Sequence, residues 1–115
     1  MPIAFDDVNE QFRRIAISGR LDIVGTDEIA LKFTSLSATA TKSIVVDLSA
    51  VTFLASIGIR AFVSNAKAVQ GRGGKMVLFV GDNTIVSKTL EATGIDTLIP
   101  MFSNLAEADQ AATAS

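Results

Sequence analysis

The sequence predicts a single α/β domain, in which a mixed and mostly parallel sheet is flanked by helices and begins with an antiparallel strand pair. Short apolar runs typical of strands alternate with segments in which apolar residues recur at helical spacing. One run, at residues 44–46, is β-branched and apolar on both faces, as a central parallel strand covered by helices is. A chain of 115 residues is long enough for one core, so we expect one domain over residues 1–115.

The first two strands are predicted near the amino terminus. Residues 3–8 form a short apolar run, and residues 12–18 alternate between two faces as a half-buried strand does. The link between them is of hairpin length, which predicts the antiparallel pair. Gly19 is expected to end the second strand.

Two helices are predicted around the central strand. The first begins at Thr26, whose hydroxyl would cap it, and Asp27 and Glu28 would complement the helix dipole in the first turn. The second spans residues 57–70, and its apolar face comprises Ile59, Phe62, Val63, Ala66 and Val69.

The remaining elements continue the alternation. Residues 76–80 predict a buried strand, followed by a helix that residues 82–83 can cap and that Gly94 ends. Residues 98–102 predict a last strand at an edge of the sheet, because their proline cannot donate to a ladder. Residues 103–104 can cap an alanine-rich helix at the end of the chain.

The composition excludes several classes of function. The chain has neither cysteine nor histidine, which excludes a Cys/His zinc site, a cysteine nucleophile and an imidazole base. A net charge of −2 with scattered basic residues argues against nucleic-acid binding. The amino terminus does not resemble a secretion signal, and no apolar run approaches the ~20 residues of a membrane helix. We therefore expect a cytoplasmic protein that does not insert into a membrane.

Ser56 lies between a strand and a predicted helix, where a serine can have three roles. From position alone, its hydroxyl is expected to be the N-cap of the helix. A nucleophile elbow is rejected because Leu54 replaces its first glycine and the chain has no histidine; only a lysine base would remain. A phosphate would add about −1.5 to −2 charges at a helix start, where negative charge is favoured, so a cap and a regulatory switch are compatible.

Asp22 and Asp47 are two acids with two open interpretations. Each can be a loop acid that accepts hydrogen bonds from nearby backbone N–H groups. Alternatively, both lie at strand ends and would form an anionic rim beside Ser56.

Three motifs occur in the order found in one known family. Residues 19–22 match G-x-L-D, and residues 93–95 match T-G-[LI]. Between them, the pattern D-x-S-x-V-x-F-x-D-S-[ST]-G-L is matched by Asp47, Ser49, Val51, Phe53, Ser56, Gly58 and Ile59. Over nearly its full length, the chain resembles the STAS domain, the family of bacterial anti-sigma-factor antagonists.

The resemblance implies a regulatory protein with no catalytic activity and no cofactor of its own. Members of the family bind an anti-sigma-factor serine kinase with a histidine-kinase-like ATPase fold. Phosphorylation of the serine that matches Ser56 releases the antagonist, and a phosphatase resets the cycle. We expect the same partners for this chain and no binding to nucleic acid. The antagonist itself is expected to be a monomer or a weak dimer.

The docking surface is expected to be the loop at residues 49–56 and the helix after it. Ser56 is the expected phospho-acceptor, and Arg60 is added as a polar contact because it lies on the exposed face of the predicted helix. The expected partner-binding residues are Asp22, Asp47, Ser49, Ala55, Ile57, Gly58 and Arg60.

Two departures from the family pattern leave an alternative open. The acid that usually precedes the phospho-acceptor is Ala55, which removes a charge that a kinase could recognise. The usual second hydroxyl residue is Ile57, which makes the surface more apolar and suits constitutive docking. The alternative is a STAS regulatory subunit of a transporter or a larger signalling assembly, without a phosphate cycle.

Overall fold

A computed structural model describes residues 2–37 and 42–113 of the chain. It contains one five-stranded sheet with the strands in chain order, in which the first pair is antiparallel and the other neighbours are parallel. The strands are β1 (Ile3–Asp7), β2 (Phe12–Leu21), β3 (Ser43–Leu54), β4 (Met76–Phe79) and β5 (Met101–Phe102). The helices are α1 (Ile23–Ser37), α2 (Ser56–Gly71), α3 (Thr84–Thr93) and α4 (Leu105–Thr113), with a short 3₁₀ turn at Ile95–Thr97. The predicted α/β fold is confirmed.

Helices cover the central strand on both faces. Ile44 and Val46 pack into the larger core with α1, α2 and α3, whereas Val45 packs with α4 into a smaller cluster on the other face. In the larger core, the rings of Phe33 from α1 and Phe62 from α2 meet edge to face with centroids 5.7 Å apart. The burial of successive residues on opposite faces explains why this strand is apolar on both sides.

β2 continues past Gly19 to Leu21, so the prediction that this glycine ends the strand is wrong. The pairing of β2 with β3 shifts register between Ala16 and Ser18 and again between Gly19 and Arg20. Gly19 has a φ of +85°, a conformation that glycine adopts without steric cost, so the irregularity is absorbed within the strand.

β3 is also longer than the sequence predicts. Its pairing with β4 ends where Asp47 faces Phe79, but its pairing with β2 continues until Leu21 faces Leu54. Residues 49–54 therefore belong to a strand, and the prediction of a loop at residues 49–56 is wrong for that part. The sequence does not predict this extension because several of its residues are polar. Polar residues are tolerated there because the extension pairs with only one neighbouring strand.

Asn83 holds the extended part of β3 in place. Its amide nitrogen Nδ2 donates to the carbonyl oxygens of Leu48, Ser49 and Val51 at 3.0, 3.3 and 2.7 Å. Its Oδ1 accepts from the backbone N–H of Val86 at 3.2 Å, which confirms a cap of α3 at residues 82–83. One side chain thus links the start of a helix to strand carbonyls that β4 does not reach.

The carboxyl-terminal elements differ from prediction mainly in length. The left-handed Gly94 ends α3 as predicted, and the 3₁₀ turn then takes up residues 95–97. The last strand is reduced to Met101–Phe102 at the edge of the sheet. Asn104 caps α4 by accepting from the N–H of Glu107 at 3.0 Å, as the sequence predicts for residues 103–104.

Replacing Asn83 tests its double role. Asn83→Ala should lower the free energy of unfolding by ~2 kcal/mol or more, because a cap is worth about 0.5–2 kcal/mol and partly buried carbonyls also lose their donor. Asn104→Ala is the matched control, since it removes a cap alone and should cost ~1 kcal/mol. Urea unfolding of both variants measures the difference, and equal losses would show that the contacts with β3 contribute nothing.

Candidate functional site

Ser56 is the first residue of α2 and is exposed. The N-cap position is occupied by Ala55, whose side chain makes no capping bond, so the prediction that Ser56 is the N-cap is wrong. The backbone fixes the helix start instead: the N–H of Ala55 donates to the carbonyl of Leu21 at 3.0 Å, and its own carbonyl accepts from Gly58 at 3.0 Å. Within the described residues the Ser56 hydroxyl forms no hydrogen bond, which leaves it accessible to a modifying enzyme.

Gly58 allows α2 to approach the ends of β2 and β3. It is buried, and a Cβ at this position would lie 2.9 Å from Cδ1 of Leu54 and 3.2 Å from Cβ of Leu21. Its position therefore argues against a direct contact with a partner. The absence of a side chain at Gly58 instead allows the first turn of α2, with Ser56 and Ile57, to lie close to the sheet.

Asp22 caps α1, so the helix begins at Ile23 and not at the predicted Thr26. Its Oδ1 accepts from the N–H of Gly25 at 2.8 Å, and its carbonyl accepts from the N–H of Thr26 at 2.9 Å. The hydrogen bond from Gly25 lowers the pKa of Asp22, and a longer contact of 3.4 Å with Nε of Arg20 acts in the same direction. Asp22 thus accepts a hydrogen bond from a nearby backbone N–H group, as the interpretation of Asp22 as a loop acid predicts.

Asp22 also lies close to the start of α2. It follows Leu21, and the carbonyl of Leu21 is bonded to Ala55, the residue before Ser56. The cap of α1 and the first turn of α2 therefore lie at neighbouring strand ends. This part of the predicted site is brought together by the fold.

Asp47 and Ser49 lie elsewhere. Oδ1 of Asp47 accepts from the backbone N–H and the hydroxyl of Ser49 at 2.9 and 2.6 Å. Asp47 pairs with Ala16, and Leu54 pairs with Leu21 five residues further along β2, so Asp47 lies about 16 Å from the end of the strand at 3.2–3.4 Å per residue. The predicted rim formed by Asp22 and Asp47 together beside Ser56 is therefore wrong.

An apolar groove of about 460 Å³ runs between the first turns of α1 and α2, beside Ser56. The side chains of Ile23 and Val24 are 72% and 68% exposed, although they are large and apolar. The groove is lined by Ile23, Val24, Thr26, Asp27, Ala30, Ile57, Arg60 and Ala61. A cluster of exposed apolar side chains with charges at its border is typical of a protein-binding surface.

Sequence reasoning missed Ile23, Val24 and Gly25, because it placed the start of α1 at Thr26. A Cβ on Gly25 would collide with the carbonyl oxygen of Arg20 and would lie 3.2 Å from Oδ1 of Asp22. An aspartate directly after a strand was the available signal for this helix start, because aspartate is a preferred N-cap residue.

The charges around the site have different surroundings. Arg20 lies over the exposed ring of Phe53, with 4.5 Å between its guanidinium carbon and the ring centroid. Arg60 is exposed on α2 and makes no hydrogen bond or ion pair within the described residues. Among residues 2–37 and 42–113, no three Asp or Glu side chains are grouped so that they could hold a metal ion.

Comparison with known proteins identifies the family. The profile of the STAS domain matches residues 7–108, which is most of the chain. The chain belongs to the STAS domain family. Among curated proteins no significant match was found. In the part of the chain that the structure describes, no helix has the length and apolar character needed to cross a membrane.

Solved structures share the fold at low sequence identity. An anti-sigma factor antagonist from Mycobacterium paratuberculosis is 20% identical, with a TM-score of 0.85 over 97% of this chain and 93% of that one. The phosphorylated form of the Bacillus cell fate determinant SpoIIAA is 16% identical, with a TM-score of 0.66 over 95% and 98% of the two chains. The murine Slc26a9 anion transporter is 14% identical, with a TM-score of 0.72 over 90% of this chain and 18% of the transporter.

Gly25→Ala tests the close approach of α1 to β2. The added methyl group meets a backbone carbonyl that cannot move aside freely, so we expect a loss of at least ~1–3 kcal/mol in the free energy of unfolding. Gly71→Ala is the control, because a Cβ there meets nothing within 4 Å and alanine favours the helix by up to ~1 kcal/mol. Urea unfolding that showed both variants to be equally stable would contradict the close approach.

Asp22→Asn tests the charge of the cap. The variant retains an oxygen that can accept from Gly25, but it has no charge. Since the pKa of Asp22 is lowered on folding, the charge stabilises the protein fully above the ordinary value of 3.8, and this contribution is lost as the pH falls through the lower folded value. The stability advantage of the unmodified protein should therefore shrink in acid. Urea unfolding between about pH 6 and pH 2 measures it, and a constant difference would refute the effect.

Proposed function

We propose that this STAS domain is an anti-sigma-factor antagonist, which binds an anti-sigma-factor serine kinase and is released when that kinase phosphorylates Ser56. The observation that supports the proposal best is the exposed, unbonded hydroxyl of Ser56 on the first turn of α2. Structural relatives that are antagonists, and one that is described in a phosphorylated form, favour the same role.

The proposed docking surface consists of the adjoining first turns of α1 and α2. Ile23 and Val24 supply exposed apolar contacts, and Ile57 adds a half-buried one beside the acceptor serine. Asp22 and Arg60 supply one charge of each sign, which would orient the partner. Asp47 and Ser49, bonded to each other on another part of β3, support the strand and lie outside this surface.

The chemistry of a phosphate explains how such a surface is switched. A phosphoserine adds about −1.5 to −2 charges, which the positive end of a helix dipole tolerates. A partner packed on Ile57 and the groove would meet new bulk and a charge that must lose its water. Docking and phosphorylation therefore exclude each other, while the fold remains intact.

The proposed role is regulatory and needs no catalytic group in this chain. The Ser56 hydroxyl has no hydrogen-bonded base among the described residues, so it would accept a phosphoryl group that the kinase activates. ATP and its magnesium belong to the kinase, and a phosphatase returns the antagonist to its binding form. We place the cycle in the cytoplasm, where sigma factors act.

A STAS regulatory subunit of a transporter or a signalling assembly is the second candidate. The similarity to part of the Slc26a9 anion transporter favours it, as does the absence of an acid at Ala55. The intact mass of the native protein, measured before and after phosphatase treatment, separates the two candidates. Loss of one phosphate supports the antagonist, and an unchanged mass supports the subunit.

Substitutions of Ser56 test the switch. Ser56→Ala should bind the kinase as tightly as the unmodified protein, because the hydroxyl makes no bond in the fold. Ser56→Glu should bind more weakly by ~1–3 kcal/mol, which is about 5- to 150-fold in Kd, because a charge enters the interface.

The test uses calorimetric titration against an anti-sigma-factor serine kinase. Ala68→Glu is the control: it places the same charge on an exposed position of α2 about three turns away, beyond the reach of Arg60, and should bind normally. Equal Kd values for Ser56→Ala and Ser56→Glu would show that a negative charge at this position does not control binding.

A further inference from the structure

We infer that Arg60 is the intramolecular partner of a phosphate on Ser56, so that phosphorylation also withdraws a cation from the docking surface. The inference rests on the proposed phosphorylation of Ser56 and describes how the modified serine is accommodated. It gives Arg60 two states, one free to contact a partner and one paired within the chain.

The helix geometry brings the two side chains together. Ser56 is the first residue of α2 and Arg60 is the fifth, so they lie one turn apart on the same face, with about 5–6 Å between their Cβ atoms. Side chains on a helix lean towards its amino terminus, which directs Arg60 towards Ser56. A negative group that precedes a positive one by four residues is the favourable order for such a pair.

Arg60 is available for this pairing. It is exposed and has no hydrogen bond or ion pair within the described residues. Other arginines are already engaged: Arg13 with Asp7 at 2.6 Å, Arg14 with Asp109 at 2.7 Å, and Arg20 with Asp22 at 3.4 Å and with the ring of Phe53. A free guanidinium one turn from a phosphate forms charge-assisted hydrogen bonds that can be bidentate.

Two acidic side chains near Ser56 would oppose a phosphate on that serine. Asp22 caps α1 at the neighbouring strand end, and Asp27 lines the α1 wall of the same groove that Arg60 lines from α2. A phosphate on Ser56 would be repelled by both carboxylates. Arg60 offsets that repulsion locally, and it does so without help from a partner.

The pairing makes phosphorylation act twice on the docking surface. Without the phosphate, Arg60 offers a cation at the border of the apolar groove, where an acidic group of the kinase can contact it. With the phosphate, new negative charge appears and the available positive charge is lost. Release of the partner then follows from both changes.

The experiment installs phosphoserine at position 56 during translation, so no kinase is needed. Phosphorus NMR then follows the second ionisation of the phosphate with pH in the otherwise unchanged protein, in Arg60→Ala and in Arg60→Lys. A paired guanidinium favours the dianion, so the pKa of the phosphate should be higher in Arg60→Ala by about 0.3 or more. Arg60→Lys should lie in between, because lysine keeps the charge but loses the planar fork.

Lys67→Ala is the matched control, since it removes a cation from the exposed side of the same helix two turns beyond Arg60. It should leave the phosphate pKa unchanged. Equal pKa values with and without Arg60, or the same rise in Lys67→Ala, would overturn the inference. Failure of a kinase to modify Ser56 would count against the proposed function alone, because the phosphate is supplied here independently.

Discussion

Leu21 and Leu54 face each other at the carboxyl ends of two parallel strands, and the helix that follows each strand therefore begins at the same edge of the sheet. The bond from the N–H of Ala55 to the carbonyl of Leu21 joins the two helix starts directly. Gly25 and Gly58 let both helices lie close to the strands, since a side chain at either position would meet backbone or core atoms. The exposed serine, the capping acid and the apolar groove all depend on this arrangement.

The surface made in this way leaves apolar side chains in solvent beside an exposed hydroxyl. Phe33 and Phe62 enter the core with almost no exposed surface, whereas Leu31, Ile85 and Leu98 are further large apolar side chains that remain exposed. Exposure of Ile23 and Val24 costs the free protein the burial free energy of two large side chains, which a partner can recover. A surface that gains most of its affinity from apolar contact is also one that a single added charge disturbs strongly.

β3 separates two groups of polar residues that the sequence places only a few positions apart. Its extension past β4 puts Asp47 and Ser49 at one level of the sheet and Ser56 at another, and Asn83 secures the strand between them. Oδ1 of Asp47 accepts hydrogen bonds from the backbone N–H and the hydroxyl of Ser49. The family motif thus combines residues that shape the strand with residues that, in the proposed function, contact the partner.

The sequence by itself determined the fold class, the order of elements and the family. Local periodicity is sufficient for these, because buried faces repeat every two or every 3.6 residues, and caps such as Asn83 and Gly94 act on their own helix. It also excluded chemistry that needs cysteine or histidine.

Only the tertiary structure decided that β3 runs to Leu54, that Asp22 and not Thr26 begins α1, and that Asp22 but not Asp47 adjoins Ser56. Each of these depends on the register between strands and on hydrogen bonds between residues distant in the chain. A local sequence pattern does not specify which strand will pair with a given strand edge. The set of residues that forms the site was therefore determined by the tertiary packing.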